Sequence, residues 1–588
     1  MKTDWDLGSL EGNFKGEREF STILHDKFKD KWEKDQSYLE NPEKLKEALD
    51  ELEKISEEFS SGGSEHLYYW LKQELDQSDT ETRRRYLDID KFSKDQGNKI
   101  LFFSVSLSKV SEEKRKEFLV RSTLEKYKPF LENFFENAKY ILSEKEEKIL
   151  SLKQSASYEM WVNMLKSLLS KEKRKSLDED GTKKEFVYPE LLNLMRSQNK
   201  KVRVSAKESF EDILQKYEDV AEFELNAVLE EAKINDELRG FGRADESRMK
   251  EDLIDLEFIN AILEAVKEKF SISREFYTLK AKLMGKKKFG YFERNAEIKK
   301  IDKNFDAEKA VEIVKTVFSN LDKEFLKIFD DMLGSGKIDF FPKAGKNGGA
   351  FCIHSKLRDP VYVLLNHAGK LRDVAVIAHE MGHAINGTLM KKEGPFYYEN
   401  SKSTAEVAST FMEDFVYKEV FNELNEEERF YLKVMKLEDD ISSILRQIAL
   451  YLFELELHEI YRKEGYLSKE KIGQLFVKHM SEYMGESVEM QNAHLWWIYW
   501  EHIRMYFYVY SYASGLLISK AMQKKYNEDN SFIEKIKVFL STGTSKKPRE
   551  IFKELGIEIS KEFFLEGLSE LEQELKEIKI LGKKLGKI

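Results

Sequence analysis

Cysteine is almost absent from this chain, and that scarcity excludes several kinds of site. Cys352 is the only cysteine among 588 residues, so the chain forms no internal disulfide and no zinc site built from cysteines. No apolar run reaches the roughly 18 residues that a membrane-spanning helix needs. The first residues lack the apolar stretch of a secretory signal. We therefore expect a cytoplasmic protein with no membrane partner.

A strongly basic surface is also missing. The chain has 98 Lys and Arg against 109 Asp and Glu, a net charge of −11, and no long basic run. This balance does not favour nucleic acid as a partner. The hydrophobic fraction of 41% is enough for a large core, which excludes wholesale disorder.

Proline is scarce, with seven in 588 residues, and apolar residues recur with the helical period over long stretches. Such patterns fill most of residues 14–90, 110–285, 305–333 and 404–585. One apolar stripe consists of Phe130, Leu131, Phe134, Phe135, Ala138, Ile141 and Leu142. The sequence therefore predicts a mostly α protein.

Residues 342–395 depart from the helical pattern. Three of the seven prolines fall there, and five glycines crowd residues 334–349. Helices do not tolerate that density of Gly and Pro. Residues 350–353 and 361–365 have the composition of strands. We predict a small sheet, and a simple surface hairpin is the alternative.

Two other segments are interpreted from charge and periodicity. Residues 171–181 are charged and turn-rich, which indicates a connection between helical layers. The tail carries apolar residues at helical spacing followed by lysines, which favours a closing amphipathic helix over a membrane anchor. The apolar residues of this tail are Leu568, Leu571, Leu575 and Ile578.

The strongest chemical signal is at residues 379–383, which read H-E-M-G-H and so have the form H-E-x-x-H. On a helix, residues four apart differ by about 40°, so both imidazoles can bind one zinc ion. Glu380 lies about 100° from His379, beside the metal and within reach of a metal-bound water. Asp373 is a good N-cap for this helix, and Gly387 can end it. The alternatives are chance, or two core histidines with an unpaired buried glutamate between them.

A hydrolytic zinc needs a third protein ligand and one open position. Asn386 and Leu389 occupy the Gly and His positions of the extended H-E-x-x-H-x-x-G-x-x-H motif, so the third ligand comes from elsewhere. A following helix carries Glu406 and Glu413 on one face, where one can ligate and the other can orient a zinc-bound histidine. Glu406 also fits a capping box with Ser403, which is the structural alternative.

Aromatic residues crowd residues 495–512. Core packing is the usual explanation at helical spacing, but buried tyrosine hydroxyls need partners, and His502 lies among them. A histidine and a tyrosine facing the zinc could donate hydrogen bonds to a tetrahedral oxyanion. On a helix, Tyr508 and Tyr512 would be neighbours, with His502 about 120° from Tyr508. The nine aromatic residues are Trp496, Trp497, Tyr499, Trp500, Tyr506, Phe507, Tyr508, Tyr510 and Tyr512.

Taken together, these motifs resemble the thimet-type zinc oligopeptidases, and within them the oligoendopeptidase F branch. The order of the matching segments along nearly the whole chain makes the resemblance specific. The segments are residues 5–10, 291–296, 348–352, 373–384, 406–413 and 502–515.

The resemblance implies roles for individual residues. His379, His383 and Glu406 would hold one Zn²⁺ per chain, Glu380 would be the general base, and Glu413 would support the ligands from behind. His502 and Tyr508 would stabilise the transition state. The spacing between the histidine and the tyrosine differs from that of better-known relatives, so Tyr506, Tyr508 and Tyr512 all stay open as the main oxyanion donor. The expected substrate-binding residues are Gly349, Ala350, Phe351 and Tyr512.

The implied fold is a mostly α, large helical bowl of two halves around a deep substrate channel, with a small β-sheet near the zinc site. Residues 1–200 would form the N-terminal helical half, a wall of the channel. Residues 201–588 would form the catalytic half with the zinc site, the small sheet and the C-terminal helices. The edge of the sheet could pair with an extended peptide through its backbone.

The implied activity is that of a zinc metalloendopeptidase that hydrolyses internal bonds of short unstructured oligopeptides, using a zinc-activated water with Glu380 as general base. We expect a monomer or a weak homo-oligomer. One rival is a zinc carboxypeptidase of similar fold. Another is a catalytically silent helical protein that binds peptides, which the presence of Glu380 disfavours because a binder does not need the base.

Overall fold

The fold was analysed in a computed structural model that describes residues 1–59, 62–299 and 303–588. Helices make up 73% of it, which confirms the mostly α prediction. In those three ranges, no helix combines the length and the apolar character needed to cross a membrane. The helices, in chain order, are α1 Gly8–Asn13, α2 Glu17–Trp32, α3 Pro42–Phe59, α4 Gly63–Leu75, α5 Thr80–Leu107, α6 Glu112–Val120, α7 Lys128–Asn137, α8 Glu144–Gln154, α9 Met160–Ser170, α10 Tyr188–Leu194, α11 Lys200–Arg239, α12 Glu246–Glu251, α13 Leu256–Glu268, α14 Phe270–Leu283, α15 Ala307–Leu321, α16 Lys323–Ser335, α17 Leu371–Leu389, α18 Lys402–Asn422, α19 Glu426–Ile441, α20 Gln447–Glu464, α21 Lys469–Met484, α22 Tyr510–Glu528, α23 Ile533–Thr542, α24 Pro548–Glu554 and α25 Lys561–Lys584.

The chain divides into two compact units, and each unit is assembled from three separate segments. The predicted division is into two continuous parts, residues 1–200 and 201–588, and it stays a prediction. The first unit consists of Met1–Leu152, Lys303–Val420 and Met522–Gly556, and the second of Lys153–Asp302, Phe421–Ala521 and Ile557–Ile588.

Aromatic packing dominates the core of the first unit. Phe28 and Trp32 of α2 are buried with Tyr38 and with Phe103 of α5. The Trp32 and Tyr38 rings meet edge to face with centroids 5.9 Å apart, a favourable geometry for an aromatic pair. The apolar stripe predicted around α7 packs on the same cluster through its buried and half-buried members, Phe130, Leu131, Phe134 and Phe135.

A three-stranded sheet interrupts the helices of the first unit, as the sequence predicted. Its strands are β4 Ile338–Asp339, β5 Phe351–Ile353 and β6 Tyr362–Leu364, in the order β4-β6-β5. β5 is antiparallel to β6, and β4 is parallel to it. All three residues of β6 are fully buried. The third strand excludes the simple surface hairpin, and β5 lies at an edge.

The second unit is built around the 40-residue helix α11 and a group of packed helices that includes α13, α20, α21 and α25. A second small sheet pairs β3 Phe289–Gly290 with β7 Val488–Glu489 in parallel. The amphipathic helix predicted at the tail is α25. Its buried residues include Leu568, Leu571, Leu575 and Ile578, so its apolar face packs on α13 and α19.

Residues 171–181 lie between α9 and α10, as expected of a connection, but they include a strand that was not predicted. The segment contains β1 Lys173–Leu177, which pairs in antiparallel register with β2 Lys183–Val187. In the turn, the Asp178 carboxylate accepts hydrogen bonds from the backbone amides of Asp180 and Thr182, and Gly181 takes a left-handed conformation with φ 79°. The strands are largely exposed and charged, so they lack the apolar alternation by which strands are recognised.

Candidate metal centre

Helix α17 carries the H-E-x-x-H residues, and its start differs from the prediction. Lys370 is the N-cap, and Asp373 lies three residues later. The Asp373 carboxylate reaches back and accepts hydrogen bonds from the amides of Ala368 and Lys370, at 2.8 and 3.0 Å. Asp373 therefore satisfies amides that precede the helix, in the manner of a capping box.

Gly387 does not end α17, which continues to Leu389. A Cβ atom at Gly387 would lie 2.8 Å from Cδ2 of His354. The absence of a side chain therefore lets the His354 ring pack against the helix one turn after His383. Close approach, and not helix termination, explains this glycine.

Gly382, between the two histidines, sets how closely α18 approaches α17. A Cβ atom there would lie 2.6 Å from Cα of Ser409 and 2.8 Å from the carbonyl oxygen of Ala408. Both are backbone atoms of α18, so neither can move aside without moving the helix. This role was not predicted, although a glycine inside an apolar helical pattern is a signal of close packing.

The crossing of α17 and α18 brings three potential metal ligands together. One ligand atom from each of His379, His383 and Glu406 lies within 4.8 Å of the others. Oε2 of Glu406 is 3.6 Å from Nε2 of His379 and 3.9 Å from Nε2 of His383. Two atoms bound to one tetrahedral zinc at about 2.1 Å lie about 3.4 Å apart, so this spacing suits a single ion.

Glu413, about two helical turns after Glu406 on the same face of α18, contacts the side of His379 that faces away from Glu406. Its Oε2 lies 3.2 Å from Nδ1 of His379. That contact places the proton on Nδ1 and leaves Nε2 free to ligate, an arrangement typical of zinc-binding histidines. Burial opposes a charged imidazole, but the Glu413 hydrogen bond and the nearby carboxylates raise the pKa of His379 to about 10. These carboxylates favour a cation at this place, and a metal ion bound at Nε2 would displace the proton that this nitrogen carries in the absence of metal.

Burial is the largest cause of the pKa shifts of His383, Glu406 and Glu380. Burial, followed by the charge of His379, lowers the pKa of His383 far below its usual value, so this imidazole is neutral as a ligand must be. Burial raises the pKa of Glu406, partly offset by His379. Burial likewise raises the pKa of Glu380 to about 7. Glu380 is 6% exposed.

The capping-box alternative for Glu406 does not match the geometry. The carbonyl of Ser401 accepts hydrogen bonds from the amides of Thr404 and Ala405, so the first turn of α18 begins at Ser401. Glu406 lies five residues further on, beyond the third helical position that a capping box uses. Its Oε2 instead lies 3.4 Å from the hydroxyl of Ser409, which donates to it.

Three of the four residues predicted to bind substrate, Gly349, Ala350 and Phe351, lie along and just before the edge strand β5, which packs on α17. The fourth, Tyr512, lies on α22 in the second unit. The Phe351 ring faces Trp5 and Trp70, with centroids 6.2 and 5.0 Å away. The Gly349 carbonyl accepts a hydrogen bond from the Asn366 side chain, which holds the chain just before Ala350. These contacts fix the strand without using a side chain at Ala350.

The histidine and tyrosines near the C-terminus form a cluster in the second unit, but not on one helix as expected. The rings of His502, Tyr508 and Tyr512 lie 5.5–5.8 Å apart, and Nε2 of His502 is 3.1 Å from the Tyr512 hydroxyl. A short 3₁₀ turn covers Glu501–Arg504, and α22 begins only at Tyr510. The Tyr506 hydroxyl donates to the carbonyl of Val228 and is thereby occupied.

Comparison with known proteins decides the family. A family model described as Peptidase family M3 matches residues 193–570, more than half of the chain. The chain belongs to peptidase family M3. A second model, Oligopeptidase F, matches residues 107–170 of this M3 peptidase.

Relatives of the M3 peptidase span its length. It is 26% identical over 576 residues to an oligoendopeptidase F homolog of Borreliella burgdorferi, covering 96% of this chain and 95% of the relative. It is 22% identical to an oligopeptidase of Bacillus subtilis, covering 80% and 72%. The crystal structure of an oligoendopeptidase-F from Enterococcus faecium shares its fold, with a TM-score of 0.73 at 16% identity over 96% and 98% of the two chains. The predicted resemblance and the predicted enzyme class, a metallopeptidase, are confirmed.

Proposed function

We propose that this M3 peptidase is a zinc metalloendopeptidase that cleaves internal bonds of short, unstructured oligopeptides. The observation that supports it most is the triad of His379, His383 and Glu406 with the buried carboxyl of Glu380 next to it on α17. The names of its relatives, oligoendopeptidase F and oligopeptidase, point to the same class of substrate.

The donor set suits zinc. Two imidazoles and one carboxylate are typical of a catalytic zinc site, which leaves the fourth position open. One ion per chain would be held by His379, His383 and Glu406, with Glu413 orienting His379. When bound, zinc supplies a Lewis acid that polarises the scissile carbonyl and makes water easier to deprotonate.

Glu380 has the position and chemistry of a general base. It follows His379 directly and is therefore turned away from the ligand face of α17. Its carboxyl, with a pKa raised by burial to about 7, can take a proton from the attacking water and pass it to the leaving amine. A nearby cation would favour the ionised form that accepts this proton.

Other residues would bind and orient the peptide. The backbone of residues 349–351 and the edge strand β5 can pair with an extended chain, which gives affinity with little sequence preference. We propose that His502 and Tyr508 donate hydrogen bonds to the oxyanion of the transition state and that Tyr512 binds substrate.

The test combines one substitution with product analysis. Glu380→Gln keeps the three ligands and should retain zinc and peptide affinity while losing about 10²-fold or more in kcat, because the base is gone. Zinc content, measured on the same sample, is the control. Mass spectrometry of wild-type products from a mixed peptide library should show internal cleavage. Near-normal turnover of Glu380→Gln would refute the mechanism, and release of C-terminal residues alone would indicate a carboxypeptidase.

A further inference from the structure

The chain that leads to Tyr508 runs through two consecutive left-handed residues. Tyr506 has φ 47° and Phe507 has φ 56°. Side chains of this size rarely adopt that region, because Cβ approaches the backbone oxygen. Such strain persists only where surrounding groups hold it, and it is concentrated at functional sites.

Arg248 donates hydrogen bonds to two carbonyl oxygens of this turn. Its Nη2 donates to the carbonyl of Met505 at 2.8 Å, and its Nε donates to the carbonyl of Tyr506 at 2.9 Å. The planar guanidinium thus bonds two successive carbonyls with its fork, which a lysine could not reproduce. Arg248 belongs to the short helix α12, more than 250 residues away in sequence.

Glu454 of α20 accepts a hydrogen bond from a backbone amide of the same turn. Its Oε1 accepts a hydrogen bond from the amide of Phe507 at 2.7 Å, and the residue is fully buried. Burial raises the pKa of Glu454 to about 8, opposed by the Phe507 hydrogen bond and the charge of Arg248. Burying a carboxyl group is costly, and the buried carboxyl of Glu454 hydrogen-bonds one backbone amide of the strained turn.

The residues before the turn are held independently. Arg504 is buried and pairs with the buried carboxylate of Glu224 on α11, with Nη2 2.7 Å from Oε2. The Arg504 carbonyl accepts a hydrogen bond from the Tyr158 hydroxyl. With this segment held, the conformation of the next residues sets the direction in which Tyr508 leaves the turn.

We propose that Arg248 and Glu454 are positioning residues for peptide hydrolysis, which hold the left-handed turn at Tyr506 and Phe507 and thereby aim the hydroxyl of Tyr508. This inference rests on the proposed role of Tyr508 at the oxyanion. Neither residue touches the reacting atoms, and each acts through the backbone of the turn.

The test measures kcat, KM and zinc content on full-length variants. Arg248→Met and Glu454→Leu should each lower kcat by about 10-fold or more and change KM little, because an aimed donor acts mainly in the transition state. Glu454→Gln keeps an oxygen acceptor for the Phe507 amide and should retain most of kcat. The matched control is Arg274→Met, which removes an arginine that bonds the carbonyl of Glu482 elsewhere in the second unit and should leave kcat unchanged.

A double-mutant cycle decides whether the effect passes through Tyr508. In a Tyr508→Phe background, Arg248→Met and Glu454→Leu should have little further effect on kcat. Equal losses with and without the Tyr508 hydroxyl would overturn the proposal, and so would wild-type kcat in Tyr508→Phe. Either result leaves zinc binding and the Glu380→Gln test untouched, so the two proposals fail separately. If Glu454→Leu does not fold, Arg248→Lys replaces it, and a normal kcat there would also overturn the proposal.

Discussion

The position of Glu406 fits the role of a metal ligand and does not fit that of a helix cap. Its carboxylate faces both histidines of α17 and lies too far into α18 to cap it. Glu406→Gln should therefore weaken zinc binding by about 100-fold or more, since neutral amide oxygen is a poor zinc ligand. Glu413→Gln, which changes only the residue behind His379, should cost about 10–100-fold. Zinc content after dialysis against graded chelator measures both, and wild-type affinity in Glu406→Gln would refute the assignment.

A second prediction for a single residue concerns Tyr508. If its hydroxyl donates to the oxyanion, Tyr508→Phe should lower kcat by about 10²-fold and raise KM much less. Steady-state kinetics on one internally quenched peptide measures both constants. A change limited to KM would assign Tyr508 to substrate binding, and Tyr512 would then be the candidate donor.

The relative placement of residues could be predicted where a regular helix sets the geometry. The i and i+4 spacing of His379 and His383 on α17 follows from the helical period alone, and the structure brings Glu406 to them. The geometry around His502 could not be predicted in this way. Two bulky residues with positive φ break the helix before Tyr508, and the groups that hold them, Arg248 and Glu454, are distant in sequence.

At the scale of elements, the crossing of α17 and α18 depends on Gly382. Gly382→Ala would place a methyl group against the backbone of Ser409 and Ala408, so the helices must separate. We expect a loss of about 1–3 kcal/mol in unfolding free energy together with weaker zinc binding. Gly334→Ala in α16 is the matched control, because a Cβ there meets nothing within 4 Å. That change should be neutral or stabilising by up to about 1 kcal/mol.

Denaturant unfolding of both variants, with and without zinc, measures the difference. Equal stability and equal zinc affinity for Gly382→Ala and wild type would mean that the crossing tolerates the extra methyl group. Sequence patterns identified α17, β5 and β6, because all three show clear apolar character, and α17 and β6 are largely buried while β5 is half-buried. The exposed, charged hairpin β1–β2 has no such signal and was missed.

At the scale of the whole molecule, the way in which a peptide would bind determines which substrates can be cleaved. Pairing with the short edge strand β5 requires an extended backbone whose own hydrogen-bonding groups are free. A short unstructured peptide should therefore be cleaved efficiently, and the same sequence inside a folded protein should be resistant. Cleavage rates of one sequence as a free peptide, in an unfolded protein and in a folded protein measure this. Similar rates on the folded protein would contradict the proposal.

The assembly of each unit from three separate segments was beyond the reach of local patterns. Periodicity reports which face of a helix is buried, but not which distant helix covers it. In the first unit, α17 packs on α23, more than 140 residues later, and the Asn386 amide donates to the carbonyl of Leu540 at 2.7 Å. Helix content was thus predictable, whereas the division into units was not.

The packing of α17 on α23 also determines when α17 can be covered during synthesis on the ribosome. Ribosomes add about 5–20 residues per second, so α23 is synthesised about 7–30 s after the H-E-x-x-H segment. Until then, the apolar face of α17 and the three proposed metal ligands are not surrounded by a complete unit. Nascent chains halted before residue 533 should accordingly be sensitive to protease within α17, and those halted well after residue 556 should be protected there, with zinc bound only by the longer chains.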